Sequence, residues 1–334
     1  MKSVIALGFF DGVHLGHGEL LRRIAALAAE TGWRSLALTF DRSPGKDGRL
    51  LTTIPDRVRL IQSLYGIQAV EVLPFTEEFM HLPWEAFLEL LVRDYEAAHL
   101  VCGWDYRFGY LGAGTPELLR QWCTAHGLGC DVIPPLVIEG VTVSSTHLKA
   151  LIEAGDVETA ARFCGHPHTM SGTVQPGRHL GHTLGFPTAN LIPAPELVLP
   201  RDGVYAVKAT LGEPGGQARL VPTEDAGAVA HTVRRYGEGP ERRLYSGVCN
   251  VGTRPTVGGH RRTVETWLDG FEGDLYGRQL TVDFCRFLRP EQSFPDLEAL
   301  REQVERDKAA ALAFFSAPRR EASPDASAPS VTNE

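Results

Sequence analysis

Five short apolar runs alternate with five helical patterns through the first 160 residues, and few folds accept that rhythm. The apolar runs are Ser3–Leu7, Ser35–Thr39, Ala69–Leu73, Leu100–Cys102 and Asp131–Ile133. Helical spacing marks Glu19–Thr31, Pro55–Tyr65, Trp84–Asp94, Pro116–His126 and Thr146–Ala154, with Trp84, Phe87 and Leu91 as one helix's core face. Strict alternation of this kind predicts crossover units, hence an α/β fold with a doubly wound parallel sheet and helices on both faces. Ligands of such sheets bind beyond the carboxyl ends of the strands. Gly8–His17 and Gly103–Gly109 each follow a strand, where that rule needs them.

Past Cys164-Gly165-His166-Pro167-His168 the pattern changes. Glycine and proline punctuate short strands at Gly172–Val174, Gly203–Thr210, Leu244–Val251, Arg262–Leu268 and Gln279–Leu288. These predict an antiparallel barrel or sandwich, followed by a helix over Asp296–Phe314. Residues 211–243 are polar and glycine-rich and read as a mobile loop. The division expected is therefore 1–160, 161–315 and a disordered Ser/Pro/Ala/Glu tail, 316–334.

Charge narrows the function. A net charge of −8 argues against a nucleic-acid partner, which needs clustered Lys and Arg. No apolar run approaches the roughly 20 residues that span a bilayer. Strand and motif begin at once, with no leader pattern, and the six cysteines form no Cys-x-x-Cys pair. The expectation is a cytoplasmic protein with reduced thiols and no membrane partner.

The first chemical motif is Val4-Ile5-Ala6-Leu7-Gly8-Phe9-Phe10-Asp11-Gly12-Val13-His14-Leu15-Gly16-His17. A buried strand ends at Gly8 and a helix starts near Gly16, so His14 and His17 share one face of the helix start. Free N–H groups and the positive dipole end gather there, as phosphate binding requires, and Gly16 lets a nucleotide approach the backbone. The second is Gly181-His182-Thr183-Leu184-Gly185-Phe186-Pro187-Thr188-Ala189-Asn190. Gly177, Gly181 and Gly185 suit a loop that wraps phosphates, and Thr188 and Asn190, if extended, present two oxygens on one side for Mg²⁺. A plain surface turn fits the same residues. The third is Glu265, which alternation places opposite Val264, Thr266 and Leu268, on the inner wall of a small barrel. A carboxylate there needs a task, such as general base, or an arginine partner across the strands.

Together these motifs resemble bacterial bifunctional riboflavin kinase/FAD synthetase. The resemblance is carried by Gly-x-Phe-Asp-Gly-x-His-x-Gly-His, Gly103-Trp104-Asp105-Tyr106-Arg107-Phe108-Gly109, Ser144-Ser145-Thr146 and Leu184–Leu191, in that order. Asn250–Thr256 and Phe271–Gly277 extend it to about residue 310. The family implies a nucleotidyltransferase domain followed by a β-barrel kinase domain. It implies phosphorylation of riboflavin to FMN with ATP, then adenylyl transfer from ATP to FMN, giving FAD and pyrophosphate. FMN and FAD are then substrate and product, Mg²⁺ accompanies ATP, and the protein is a monomer or weak homo-oligomer.

By the same resemblance Thr188 and Asn190 hold MgATP and Glu265 is the kinase base. His14 and His17 act on the α-phosphate. Gly8, Phe10, Asp11, Gly16, Ser144, Ser145, Thr146 and Lys149 bind the nucleotide of the first half, and Gly177, Gly181 and Gly185 that of the second. Asp105, Arg107 and Phe108 line the flavin side.

Three positions depart from the family: Phe9 for Asn, Ser43 for His in the Phe-Asp-x-His-Pro strand end, and Lys149 for Arg. Lysine keeps the charge but loses the bidentate fork. All three lie in the first half, so the alternative is a riboflavin kinase with a weakened or vestigial adenylyltransferase domain. Other His-x-Gly-His nucleotidyltransferases lack the Pro187-Thr188-Ala189-Asn190 barrel. A flavin-binding regulator without turnover would not need His14, His17, Asn190 and Glu265. Cys164-x-His166-x-His168 sits at the junction, where one-residue spacing suits zinc poorly.

Overall fold

The computed structural model describes residues 1–43, 48–176, 188–214, 220–222, 232–234, 243–256 and 259–317. The first half runs β1 (Ser3–Leu7), α1 (Leu15–Thr31), β2 (Arg34–Phe40), α2 (Ile54–Tyr65), β3 (Ala69–Leu73), α3 (Glu77–Met80), α4 (Trp84–Tyr95), β4 (Ala97–Gly103), α5 (Pro116–Ala125) and β5 (Gly129–Ile133). A small hairpin, β6 (Val137–Ile138) and β7 (Val141–Thr142), leads to α6 (Ser145–Ala154) and α7 (Val157–Cys164).

The five strands pair in parallel in the order β3-β2-β1-β4-β5. Residues alternate across the sheet, and both faces are covered. Ile5 and Leu7 pack with Phe87, Leu88 and Leu91 of α4 and Leu119 of α5. Val4 and Ala6 pack with Leu21 and Ile24 of α1 and Val58 and Ile61 of α2. The doubly wound sheet is thus present, and its strand order turns back between β1 and β4. That places the crevice beyond the carboxyl ends of those two strands.

Glu71 of β3 is an exception to the apolar sheet, with 1% of its surface exposed and no hydrogen-bond partner for Oε1. Burial pushes its carboxyl up to about 7, against the opposing pull of Arg34 and a bond from Tyr95. The folded chain therefore keeps a proton that the unfolded chain releases near 4.5, so stability falls as pH rises from about 4.5 to 7. Glu71→Gln mimics the protonated acid. It is expected to match the parent near the lower limit and exceed it by up to about 3 kcal/mol at pH 8. Urea unfolding at the two pH values measures this; a pH-independent difference would count against a buried acid.

The second half contains β8 (His168–Thr173), β9 (Thr188–Leu191), β10 (Gly203–Pro214), β11 (Leu220–Pro222), β12 (Thr232–Arg234), β13 (Arg243–Thr256), β14 (Gly259–Leu268), β15 (Arg278–Arg289) and α8 (Leu297–Ser316). Six of these strands form an antiparallel sheet, β8-β15-β10-β13-β14-β9. It curls into a half-barrel, and one isolated bridge, the Gln175 N–H donating to the Asn190 carbonyl at 2.9 Å, joins the chain just after β8 to β9 at the other edge. Its core takes alternate residues of every strand, among them Met170, Ala189, Leu191, Val207, Val251, Val264, Leu268 and Val282.

Two expectations change here. Val264, Thr266 and Leu268 are buried, and Val264 and Leu268 belong to the barrel core, so Glu265 stands on the outer face and not on the inner wall. The polar stretch 211–243 is not simply a loop. β10 continues to Pro214, and β11 and β12 form a hairpin whose second strand pairs antiparallel with β3 of the first sheet. Backbone pairing with an open sheet edge overrides composition at these residues. The glycine-rich segment 177–187 and the tail 318–334 lie outside the described residues, whereas Ser316 still belongs to α8.

α8 lies across the outside of the barrel. Asp307 accepts from Arg289 at 2.7 and 2.9 Å, and Lys308 stands 4.4 Å over the Trp267 ring. Lys208 stands 4.2 Å over Phe315.

Candidate active sites

The loop between β1 and α1 is tightly shaped. Phe10, Gly12 and Val13 all have left-handed backbones, at φ 54°, 78° and 43°. Non-glycine residues rarely adopt that conformation, and it persists where surrounding contacts impose it. The Asp11 carboxylate supplies several of those contacts. It accepts from the Leu51 N–H at 2.9 Å and the Thr52 N–H at 3.1 Å, while burial raises its proton affinity against the pull of Arg57.

His14 caps α1, its Nδ1 accepting from the His17 N–H at 3.2 Å. The two rings stack with centroids 3.6 Å apart, so the expected shared face is present. A Cβ on Gly16 would meet the His14 ring at 3.2 Å; the glycine makes room for the ring itself. Phe10, fully buried, props His17 edge-on at 5.3 Å. His17 Nδ1 is buried without a hydrogen-bond partner. Burial lowers His14 to about 4 and His17 well below its ordinary value, the latter helped by His14 and Arg57, so both rings are neutral at pH 7.

A second helix start converges on the first. Ser144 caps α6, and Ser145 Oγ donates to the Asp11 carbonyl at 2.9 Å. Lys149, one turn on, donates to the Arg49 carbonyl at 2.6 Å. Two helix starts, each a positive dipole end, thus meet at this loop, with two neutral imidazoles at the first of them. Beyond β4, Asp105 and Arg107 are exposed, while Phe108 is buried against Tyr106, Trp84 and Phe87.

Arg57 was not anticipated from the sequence. It is fully buried on the same side of α2 as Leu60 and Ile61, and donates to Thr39 Oγ1 at 3.2 Å and the Phe40 carbonyl at 3.1 Å. Its guanidinium lies 4.1 Å from the Phe9 ring, a cation–π contact that accounts for an aromatic at that departing position. A cation within a helix's apolar stripe was the available signal.

On the barrel, β9 and β14 pair Asn190 with Glu265 and Thr188 with Trp267, and β13 adds Asn250 opposite Glu265. Cross-strand partners point to one face, so Thr188, Asn190, Glu265, Asn250 and Trp267 share the outside. Ala189 and Leu191 go to the core, as extension of Thr188–Asn190 requires. Asn190 Oδ1 is buried with no hydrogen-bond partner. Asn250, the first residue of the Asn250–Thr256 motif, and Trp267 join the patch that Thr188, Asn190 and Glu265 outline, and strand register is what places them there.

A parallel-sheet half with converging helix starts, joined to an antiparallel barrel carrying its own polar row, defines a two-site enzyme of the nucleotide-using transferase class. Comparison with known proteins agrees. Residues 1–147 match the FAD synthetase family and residues 164–315 the riboflavin kinase family. The bifunctional riboflavin kinase/FMN adenylyltransferase of Bacillus subtilis is 31% identical over 94% of this chain and 93% of its own. That of Escherichia coli K12 is 32% identical over 93% and 92%. A crystal structure from Streptococcus pneumoniae, named a macrolide-efflux protein, superposes with a TM-score of 0.75 at 26% identity, covering 93% of this chain and 94% of that one. Among the described residues no helix is long and apolar enough to cross a membrane. The chain belongs to the bifunctional riboflavin kinase/FMN adenylyltransferase family.

Proposed function

We propose that this chain phosphorylates riboflavin to FMN on the barrel and adenylylates FMN to FAD in the parallel-sheet half. The observation that carries this is the presence of two separate polar constellations, each at the place its fold reserves for ligand.

In the first half His14 and His17 meet the α-phosphate as N–H donors. Gly8, Gly16 and the Ser144-Ser145-Thr146 helix start bind the triphosphate, with Lys149 adding charge. Phe10 and Asp11 shape that loop from behind. Asp105 and Arg107 face the flavin, and Phe108 supports them. In the second half Glu265 takes the proton of the ribityl hydroxyl. Gly177, Gly181 and Gly185 belong to the nucleotide loop of that site.

The donor set of β9 fits Mg²⁺. A hard cation takes oxygen ligands, and the buried Asn190 Oδ1 without a partner, with Thr188 two residues away on the same face, supplies them. When bound with ATP, the ion would neutralise phosphate charge. Residues 1–160 and 161–315 are the two functional units, although the division falls within α7. The protein works as a monomer or weak homo-oligomer in the cytoplasm.

The test is a time course with riboflavin and MgATP, FMN and FAD being separated by chromatography. FMN is expected first and FAD after it. Asn190→Ala and Thr188→Ala should each raise the MgATP concentration needed for FMN formation and leave FAD formation from supplied FMN unchanged. An unaltered MgATP dependence in both variants would remove β9 from the kinase site. FMN without FAD would favour the kinase with a vestigial first half.

A further inference from the structure

The junction motif has no part in either reaction so far. Cys164 ends α7, and its Sγ–H donates to the Gly12 carbonyl at 3.1 Å. His166 Nε2 lies 3.1 Å from the same oxygen and 3.2 Å from Cys164 Sγ, while Nδ1 lies 2.8 Å from the Pro167 carbonyl. Burial keeps the imidazole neutral and pushes the thiol up to about 12, so one N–H and one S–H are present. With the ring N–H on Nε2 the Gly12 oxygen receives both donors; with it on Nδ1 the bare Nε2, 3.2 Å from Sγ, competes with that oxygen for the thiol proton. The Nε2 tautomer is therefore the one in which both side chains hold this carbonyl.

The carbonyl belongs to the middle of the strained β1–α1 loop. Gly12 sits at φ 78° between the left-handed Phe10 and Val13, two residues before His14. On its other side the Gly12 N–H donates to Thr52 Oγ1 at 3.2 Å. Thr52 belongs to the segment Leu50–Thr52, and Leu50 bridges Leu197 of the second half through 2.8 Å bonds with Glu196 and Val198. Chain beyond residue 160 therefore holds the loop directly through Cys164 and His166 and indirectly through Leu50–Thr52. Sparsely populated backbone conformations need such over-determination.

We propose that Cys164 and His166 are positioning residues for adenylyl transfer, fixing the Gly12 carbonyl and through it the stacked His14–His17 pair. This rests on the assignment of those histidines to that reaction. It also means that the adenylyltransferase unit needs the chain through His166, past the 160/161 division.

The experiment uses the full-length enzyme with Cys164→Ala and His166→Ala combined, since each side chain covers for the other. The kcat for FAD formation from FMN is expected to fall about tenfold, the size of a buried hydrogen bond lost at a site needing close alignment. KM for FMN and the rate of riboflavin phosphorylation should stay within twofold. His166→Gln with Cys164→Ala retains an amide donor and should recover most of the kcat. Hydrogen exchange of residues 8–17 should quicken in the double alanine variant while the barrel strands keep their protection, a readout independent of turnover. Unchanged FAD formation, or equal loss of both activities without rescue by glutamine, overturns the proposal. His17→Ala runs beside it. If that variant also forms FAD normally, the site assignment itself has failed; if it alone is dead, only the clamp has.

Discussion

Glu265→Gln should lower FMN formation from riboflavin about 10²- to 10⁴-fold, the usual contribution of a positioned general base. Glutamine keeps the size and hydrogen-bonding shape of the side chain but cannot take the ribityl proton. Glu265 occupies the middle of a cross-strand row, Asn190–Glu265–Asn250, on the outer face of the barrel. The polar neighbours survive the substitution, so binding of MgATP should change little and the loss should appear in kcat. FAD formation from supplied FMN should continue at the parental rate, because the other reaction belongs to the parallel-sheet half. Riboflavin phosphorylation within a few-fold of the parent would make Glu265 a structural residue and leave the kinase without its base.

The second large effect belongs to His17. The residue stands at the start of α1 with Nδ1 buried and unpartnered, and on the proposed assignment removing such a donor costs roughly 10²- to 10³-fold in kcat. His17→Ala should therefore stop FAD accumulation while riboflavin still becomes FMN. The pH dependence follows from burial. His14 is lowered to about 4 and His17 well below its ordinary value, so both rings stay neutral as pH falls from 8 towards 6. Because kcat/KM reports groups of the free enzyme, no acid limb from these histidines should appear there. An acid limb near the ordinary histidine value, abolished by His17→Ala, would show that a charged imidazole is needed. On the proposed assignment Lys149 acts through charge, so Lys149→Ala should slow the same step and Lys149→Arg should match or exceed the parent.

Local periodicity made much of this fold legible. The run Ser3–Leu7 coincides with β1, and the helical spacing over Glu19–Thr31 falls within α1, which begins one turn earlier at Leu15. The reason is that a strand buried on both faces and an amphipathic helix each write their period directly into the chain. His14 and His17 were legible for the same reason. Their spacing sets an N-cap residue against the first turn of α1, where the two rings stack at 3.6 Å. Arg57 was not legible as a site residue, because its partners Thr39, Phe40 and Phe9 lie far away in sequence. β9 escaped for a different reason. Four residues flanked by glycine and proline carry too little pattern to stand apart from a turn, although Thr188 and Asn190 were singled out chemically.

What the sequence determined alone was the class of each half and the place of the histidine pair at the start of α1. These depend on backbone period, helix-start chemistry and side-chain type, all of which are local. Only the tertiary structure decided sidedness and contact between halves. Alternation along β14 separated Glu265 from Val264, Thr266 and Leu268, but which set faced inward depended on how six strands curl, and the carboxylate emerged outside. The same holds for β12 beside β3 and for the Gly12 carbonyl beneath Cys164 and His166. Such pairings join residues more than 150 positions apart, and no period in the chain encodes them. They follow from where each half leaves an open edge or an unsatisfied carbonyl once it has folded.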